Sequence, residues 1–188
     1  PHNEKSFHLY EIHADGTGLR QLTDGPYDDL DPIYLPDGHI MFCTTRGNAY
    51  VRCMPPTNAY MLARCDGDGR NIYLVSPNVE PEYLPAVASD GRVMYTRWEY
   101  TDKHLWRAQG LWTINPDGTH TSTLWGNQSV WPDLLKDVRS IPGSSRVMFT
   151  GSAHHDWFAG SVGIVDPDRG YNFPHGLTKV TADVPWPE

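Results

Sequence analysis

The feature that most constrains the fold of this chain is a unit that recurs at a fixed spacing. Asp15, Asp66, Asp117 and Asp168 each lie in a turn between two short strand-like segments, and successive members of this set are 51 positions apart. A period of this size is typical of propellers, solenoids and other arrays, whose units stabilise one another through their neighbours. The 188 residues are therefore interpreted first as repeated units.

Each unit contains four short strand signals, named A to D in chain order. Asp-Gly and Pro-Gly pairs separate A from B and C from D, and they supply the positive φ that a tight hairpin needs. No long stretch keeps the apolar period of a helix. We therefore predict an all-β chain, a β-propeller segment of four-stranded antiparallel blades, with a half blade at 7–23 and full blades at about 31–75, 84–125 and 137–181.

Three and a half blades do not close a ring, since propellers have about four to eight. An open ring would expose strand edges and apolar blade faces. We therefore expect a partial propeller whose partners are other domains or subunits of a larger protein. The chain begins Pro-His-Asn, so we also expect its start to be a cut or a processing site.

Composition excludes two classes of partner and leaves the cysteines open. The net charge of −8 argues against nucleic acid, which favours clustered Lys and Arg. No run of 18 apolar residues is present, so no membrane span is expected. Cys43 and Cys65 fall on neighbouring predicted strands, and whether they bridge depends on the register; buried free thiols are the default. Cys53, in a long loop, is a weak candidate for a reactive thiol.

The repeat resembles a known family. The segment LYEIHADGTGLRQLTDGPYDDLDPIYLPDGHIMF is similar to the TolB-type, WD40-like (PD40) propeller repeat. RVMYTRWEYTDKHLWRAQGLWTINPDGT and IPGSSRVMFTGSAHH are similar to propeller segments of proteins related to the hydrazine synthase alpha subunit. The resemblance implies the fold and an extracytoplasmic location, periplasmic or secreted. Haem chemistry in that group belongs to flanking domains with CxxCH motifs; this chain has none, so no cofactor is firmly implied.

The long connections between strands are where function is expected. The A–B and C–D turns are short, whereas the B–C and D–A connections are long and meet on the opposite rim of a propeller, and function tends to lie on such loops. The B–C connections are 46–58, 98–110 and 151–161, and the D–A connections are 24–31, 76–83 and 126–137.

A ligand-binding face is predicted on this rim. Its candidate residues are Arg46, Arg97, Trp98, Glu99, His104, Trp131 and Asp133. Arginine offers a bidentate fork to an anion, and the neighbouring tryptophan offers a stacking surface. The alternative is a structural pair between Arg97 and Glu99, with Trp98 wedged between blades.

His154, His155 and Asp156 form a candidate site for a divalent metal. Adjacent histidines both face one ion only if the backbone bends, and a further ligand would come from Glu99, His104 or Asp133. The simpler alternative is that one histidine bonds to a neighbouring group and the other is solvated.

Two functions from different classes follow. The first is a binding or scaffold module of a larger exported protein, which presents the long-loop face to a domain, a subunit or a small ligand. The second is part of a metal- or haem-assisted active site completed by missing blades or a neighbouring domain. We favour the first, so that the segment by itself is not expected to be an enzyme; a TolB-like platform in the cell envelope is a third possibility.

Overall fold

The fold is all-β in a computed structural model that describes residues 5–53, 56–100, 108–129, 131–155 and 159–186. These residues contain no α-helix, and the model has one 3-10 turn, Pro167–Arg169. The strands are β1 (Tyr10–Glu11), β2 (Arg20–Gln21), β3 (Asp29–Tyr34), β4 (Ile40–Thr44), β5 (Met61–Cys65), β6 (Tyr73–Leu74), β7 (Glu82–Val87), β8 (Val93–Trp98), β9 (Gln109–Ile114), β10 (Ser122–Trp125), β11 (Leu134–Ser140), β12 (Val147–Ser152), β13 (Ser161–Val165) and β14 (Leu177–Lys179).

The chain divides into two compact units, and the first runs to Tyr83. In this unit β1 and β2 form an antiparallel hairpin, and β3 to β6 form a four-stranded sheet in chain order. Its core contains Leu9, Ile40, Phe42, Ala63 and Cys65. The register pairs Cys43 with Leu62 and Cys65 with Ile40, and both thiols are free and buried. The two cysteines therefore do not face each other, and no bridge joins them.

The second unit, from Leu84 onward, contains two blades. One has the order β7, β8, β9, β10 and the other β11, β12, β13, β14, and a parallel bridge between Leu134 and Gln109 joins them. Trp125, Leu111, Leu135 and Phe149 are almost fully buried in the core of this unit. The chain is thus a partial propeller of four-stranded antiparallel blades, as its repeat predicts. No helix among the described residues has the length and apolar character to cross a bilayer.

The short hairpins follow the predicted turn chemistry. In the turn after β3, Gly38 N–H donates to the Leu35 carbonyl and Leu35 N–H donates to the His39 carbonyl. Gly38, Gly91 and Gly118 have φ of 83°, 86° and 91°, in the region that favours glycine. The aspartate before each glycine accepts a hydrogen bond from the backbone two residues on, and its own side chain thereby holds the turn.

The A strands begin earlier than the predicted blades, and each contains an irregular residue. β3 begins at Asp29, β7 at Glu82 and β11 at Leu134, whereas the predicted blades begin at about 31, 84 and 137. Asp31, Leu84 and Asp137 have φ of 52°, 55° and 55°, and the pairing of β3 and β11 shifts at this point. Such bulges bend the strand and break its alternation, so the residues before the bulge do not show a strand pattern.

The last C–D connection also differs from its prediction. A turn is predicted at 166–169, but Asp166 N–H donates to the Gly176 carbonyl, so the connection, termed the strap, runs from Asp166 to Gly176. Pro167 starts the 3-10 turn inside it, and the Asp166 side chain caps that turn. The sequence of this turn resembles that of the other turns, so the repeat pattern does not reveal the extra residues that follow it.

Candidate functional site

Strand register in the second unit brings four strand ends into one row. Trp98 at the end of β8 pairs with Gln109 at the start of β9. Gln109 lies beside Leu134 at the start of β11, and Leu134 pairs with Ser152 at the end of β12. The B–C and D–A connections of this unit therefore leave the sheet side by side, as a propeller blade requires.

His154 completes this row and defines the candidate site. Gln109 Nε2 lies 2.9 Å from His154 Nδ1, and the Trp98 and His154 rings meet edge to face with centroids 4.9 Å apart. Trp98, Gln109 and His154 are 4%, 1% and 8% exposed. We call these three side chains the blade-end cluster. Two blades contribute to it, so it links their ends.

The blade-end cluster has unused hydrogen-bonding capacity. Gln109 Oε1 and Ser152 Oγ are both buried without a hydrogen-bond partner. The backbone of Gln109 is paired, since its N–H donates to the Asp133 carbonyl at 2.7 Å. Buried polar atoms are nearly always paired, with protein, water or a ligand. A buried water molecule or a group of a bound partner would satisfy these two atoms.

Two of the three predicted metal ligands are placed by the structure. His155 is exposed, and its ring lies 4.6 Å from that of buried His154. Asp156 lies outside the described residues. Among the residues that are described, no three His, Cys, Asp or Glu side chains are grouped so as to hold a metal ion. One ring nitrogen of His154, Nδ1, already faces Gln109, and the His155 ring is exposed.

Arg97 and Glu99 lie in contact with each other. Arg97 Nη2 is 3.4 Å from Glu99 Oε1, and the guanidinium lies 4.7 Å from the centre of the Trp112 ring. Trp98 meets Tyr100 edge to face at 5.4 Å. This geometry matches the structural alternative for the Arg97–Glu99 pair, because both charged groups are used within their own blade.

Arg46 has a structural role in the first unit. Its Nη2 is 2.8 Å from Oδ2 of buried Asp29, and the Asp29 Oδ1 accepts the Thr44 hydroxyl at 2.6 Å. Arg46 also donates to the Asp24 carbonyl and stacks over the Tyr27 ring. A guanidinium with this many partners serves as a brace between the D–A connection and β4.

The remaining predicted residues do not form one group. Trp131 packs in an aromatic group, edge to face with Trp186 at 4.6 Å and with Phe173 at 5.3 Å. Asp133 is buried and contributes its carbonyl to Gln109. His104 lies outside the described residues. Cys53 is exposed, whereas burial raises the pKa of the Cys65 thiol to about 11.

Gln109 and Ser152 are the site residues that sequence reasoning missed. Both fall inside predicted B–C connections, 98–110 and 151–161, where a polar residue attracts no notice. The available signal was their position: a single glycine separates each of them from a run that the pattern assigns to a buried strand. A polar side chain there is carried by the sheet and is buried with it.

The fold and this row of strand ends define the class: a β-propeller segment made of four-stranded blades. The sequence matches no protein-family model and no curated protein. Comparison of structures places the chain near hydrazine synthase of Kuenenia stuttgartiensis, with a TM-score of 0.81, 18% identity, and coverage of 94% of this chain and 30% of that one.

Two further solved structures share the fold. TolB from Acinetobacter baumannii aligns with a TM-score of 0.59 at 11% identity, over 93% of this chain and 38% of that one. An oligogalacturonate lyase in complex with manganese gives 0.61 at 14% identity, over 92% and 41%. The resemblance to TolB-like and hydrazine synthase propellers is confirmed at the level of the fold, and this chain spans less than half of each relative.

Proposed function

We propose that this chain is a binding and scaffold module of a larger protein, and that it presents the blade ends around the blade-end cluster to another domain, subunit or small ligand. The observation that carries the proposal is the pairing of polar groups at these ends. Gln109 bonds to His154, and Arg97 is paired with Glu99. Such pairing fixes the shape of a surface and leaves contact with a partner to its exposed members, such as His155.

The proposal of a larger protein is supported by two observations. The structural similarity covers 94% of this chain but 30% of the hydrazine synthase chain. The strands described here supply fewer blades than the four to eight of known propellers. Further blades or domains would cover the open edges of the outer strands.

An extracytoplasmic location is part of the same proposal. It is supported by the TolB-type repeat pattern in the sequence and by the structural likeness to TolB. Fractionation of cells that produce the complete natural protein tests it: we expect the protein in the periplasmic or secreted fraction, and recovery with the cytoplasm would contradict this part.

Site-specific photocrosslinking tests the proposed use of the blade ends. A photoreactive amino acid replaces exposed His155 in the complete natural protein, and a matched variant carries it at exposed Asp117 in a tight turn. We expect crosslinks from position 155 to another domain or subunit, and few from position 117. Equal yields from both positions, or a higher yield from 117, would contradict the proposal.

A metal- or haem-assisted site completed by other parts of the protein is the second hypothesis. It is favoured by the adjacent rings of His154 and His155. Its test is metal analysis of the purified protein before and after His155→Ala, a change at an exposed position. A metal content that is unchanged by the substitution would remove His155 as a ligand.

A further inference from the structure

The strap, 166–176, is bound firmly to the preceding blade. Gly126 N–H donates to the Tyr171 carbonyl at 2.7 Å, and Trp125 Nε1 donates to the His175 carbonyl at 3.0 Å. Gln128 N–H donates to Asn172 Oδ1 at 2.7 Å. The bond to Tyr171 uses its carbonyl, so its side chain is carried on a fixed backbone.

A cleft of about 580 Å³ lies between the strap and strand β10. It is lined on one side by Tyr171 and Asn172 and on the other by Thr123, Asn127 and Gln128. A second cavity of about 220 Å³ shares Arg92, Thr113, Leu124 and Pro167 with it, so the two cavities are neighbours, and we call them together the groove. Two neighbouring cavities offer a chain-like ligand more than one region of contact.

The chemistry of the cleft is polar and nearly neutral. None of its described lining residues is acidic, and its one described cation, Arg92, is 2.8 Å from Asp90 and donates to Thr113. In the part of the chain that the structure describes, the side chains of Asn127 and Gln128 have no hydrogen-bond partner. Side-chain amides offer both hydrogen-bond donors and acceptors, so they match a ligand rich in hydroxyl groups, each of which can also donate and accept.

The second cavity extends this chemistry with hydroxyl groups. Ser89, Ser140, Ser144 and Ser145 line it. Asp90 is paired with Arg92, whereas Asp168 accepts the uncharged Ser145 hydroxyl at 2.6 Å, which does not compensate a carboxylate charge. The larger cleft has no carboxylate among its described lining residues, and its one described cation is paired, so its own lining favours a neutral ligand.

We propose that this groove binds a neutral oligosaccharide, with Tyr171 as the stacking platform and Asn127 and Gln128 as partners of the sugar hydroxyls. The Tyr171 side chain is 60% exposed beside the cleft, although a tyrosine in a folded chain is usually more buried. A pyranose ring presents C–H groups on its faces and hydroxyls on its rim. It thereby suits an aromatic surface flanked by amides. The groove uses none of the blade-end cluster, so this site is separate from the proposed function.

Calorimetric titration with maltohexaose, cellohexaose and chitohexaose tests the proposal on the chain as it stands. We expect at least one of them to bind with a Kd of about 1 mM or tighter, which is usual for an open polar site. Tyr171→Ala should weaken that binding about tenfold or more, and Gln128→Ala should weaken it severalfold. Tyr73→Ala, at a tyrosine that is 48% exposed on β6, is the matched control and should leave the affinity unchanged.

Two results would overturn the proposal. One is the failure of all three sugars to bind at about 10 mM, a concentration well above the expected Kd. The other is an equal loss of affinity from Tyr171→Ala and Tyr73→Ala. Tyr171→Ala keeps the carbonyl that holds the strap, and Tyr171→Phe keeps the ring as well, so the phenylalanine variant should retain most of the affinity. Should the alanine variant not fold, Gln128→Ala decides the question, because its backbone bond to Asn172 persists.

Discussion

Replacing His154 by alanine tests the energetic role of the blade-end cluster. The substitution removes the 2.9 Å contact between His154 Nδ1 and Gln109 Nε2, and it removes the edge-to-face contact with Trp98. Gln109 is 1% exposed and already has one unpaired side-chain oxygen, so its whole side-chain amide would then be unpaired.

The magnitude follows from these two losses. An unpaired buried polar group costs about 1–3 kcal/mol, and an aromatic pair contributes about 0.5–1.5 kcal/mol. We expect about 2 kcal/mol of lost stability, near the lower end of the combined range, because His154 lies close enough to the surface for water to enter the space. For a domain of this size, the midpoint of thermal unfolding should fall by about 4–8 °C.

Tryptophan fluorescence during urea unfolding measures this loss. All seven tryptophans of the chain come after Leu84 in the sequence, as His154 does, so the signal reports on the part of the chain that is changed. His155→Ala is the matched control: the residue is adjacent and exposed, and its loss should change the stability by less than about 0.5 kcal/mol.

A double-mutant cycle separates the hydrogen bond from the packing. Gln109→Met keeps the volume of the side chain and removes the amide that His154→Ala would leave unpaired. The double variant should therefore lose less stability than the two single losses combined. Equal effects of His154→Ala and His155→Ala, or strict additivity in the cycle, would refute the structural role that we assign to the Gln109–His154 pair.

Three further predictions concern the first unit. Gly69→Ala should destabilise the protein more than Gly38→Ala, as measured by urea unfolding followed by far-UV circular dichroism. Both glycines have positive φ. A Cβ at Gly69 would collide with the Leu22 carbonyl oxygen, whereas a Cβ at Gly38 would meet nothing within 4 Å. Equal losses would contradict the collision. Burial raises the pKa of Glu80, which is 2% exposed, so its proton is held to higher pH in the folded state than in the unfolded one. Stability from this group should then fall as pH rises above the ordinary value of 4.5, and Glu80→Gln should remove that part of the pH profile in unfolding measured from pH 4 to 8; an unchanged profile would contradict it. A thiol reagent should titrate Cys53 alone in the native protein and all three cysteines after denaturation, because the other two are buried; two fast native thiols would contradict this burial.

The turns of this fold could be predicted from the sequence because their cause is local. An aspartate accepts the backbone N–H two residues ahead, and the glycine between them takes a positive φ. Both effects act within four residues, so a single repeat is enough to recognise them. Because this turn recurs at a constant interval along the chain, the sequence also predicted the repeated blades.

The blade-end cluster could not be predicted in the same way because its cause is not local. Gln109 and His154 are 45 positions apart, and they meet only because Gln109 and Ser152 both lie beside Leu134. A shift of one residue in either register would turn these side chains to the opposite face. The bulge in β11, between Lys136 and Arg139, is one of the features that set this register, and no turn residue in the sequence marks it.

Comparison of the three B strands shows where folding requirements end and individual chemistry begins. Each strand starts with an aliphatic residue, a methionine and an aromatic residue: Ile40-Met41-Phe42, Val93-Met94-Tyr95 and Val147-Met148-Phe149. Ile40, Val93 and Val147 pair with Cys65, Ile114 and Val165 at corresponding register positions.

Two residues later the correspondence is lost. The fifth and sixth positions are Thr44-Thr45, Arg97-Trp98 and Gly151-Ser152. These pairs have the same place on the backbone but different contacts. Thr44 donates to buried Asp29, and Arg97 forms an ion pair with Glu99 while Trp98 belongs to the blade-end cluster. The Ser152 hydroxyl is buried and unpaired. The shared register fixes the backbone of each strand end but not the chemistry of its side chain, so the end takes a different chemical role in every blade. A site assembled from such ends depends on which blades are adjacent, and the chemistry of one blade does not predict that of the next.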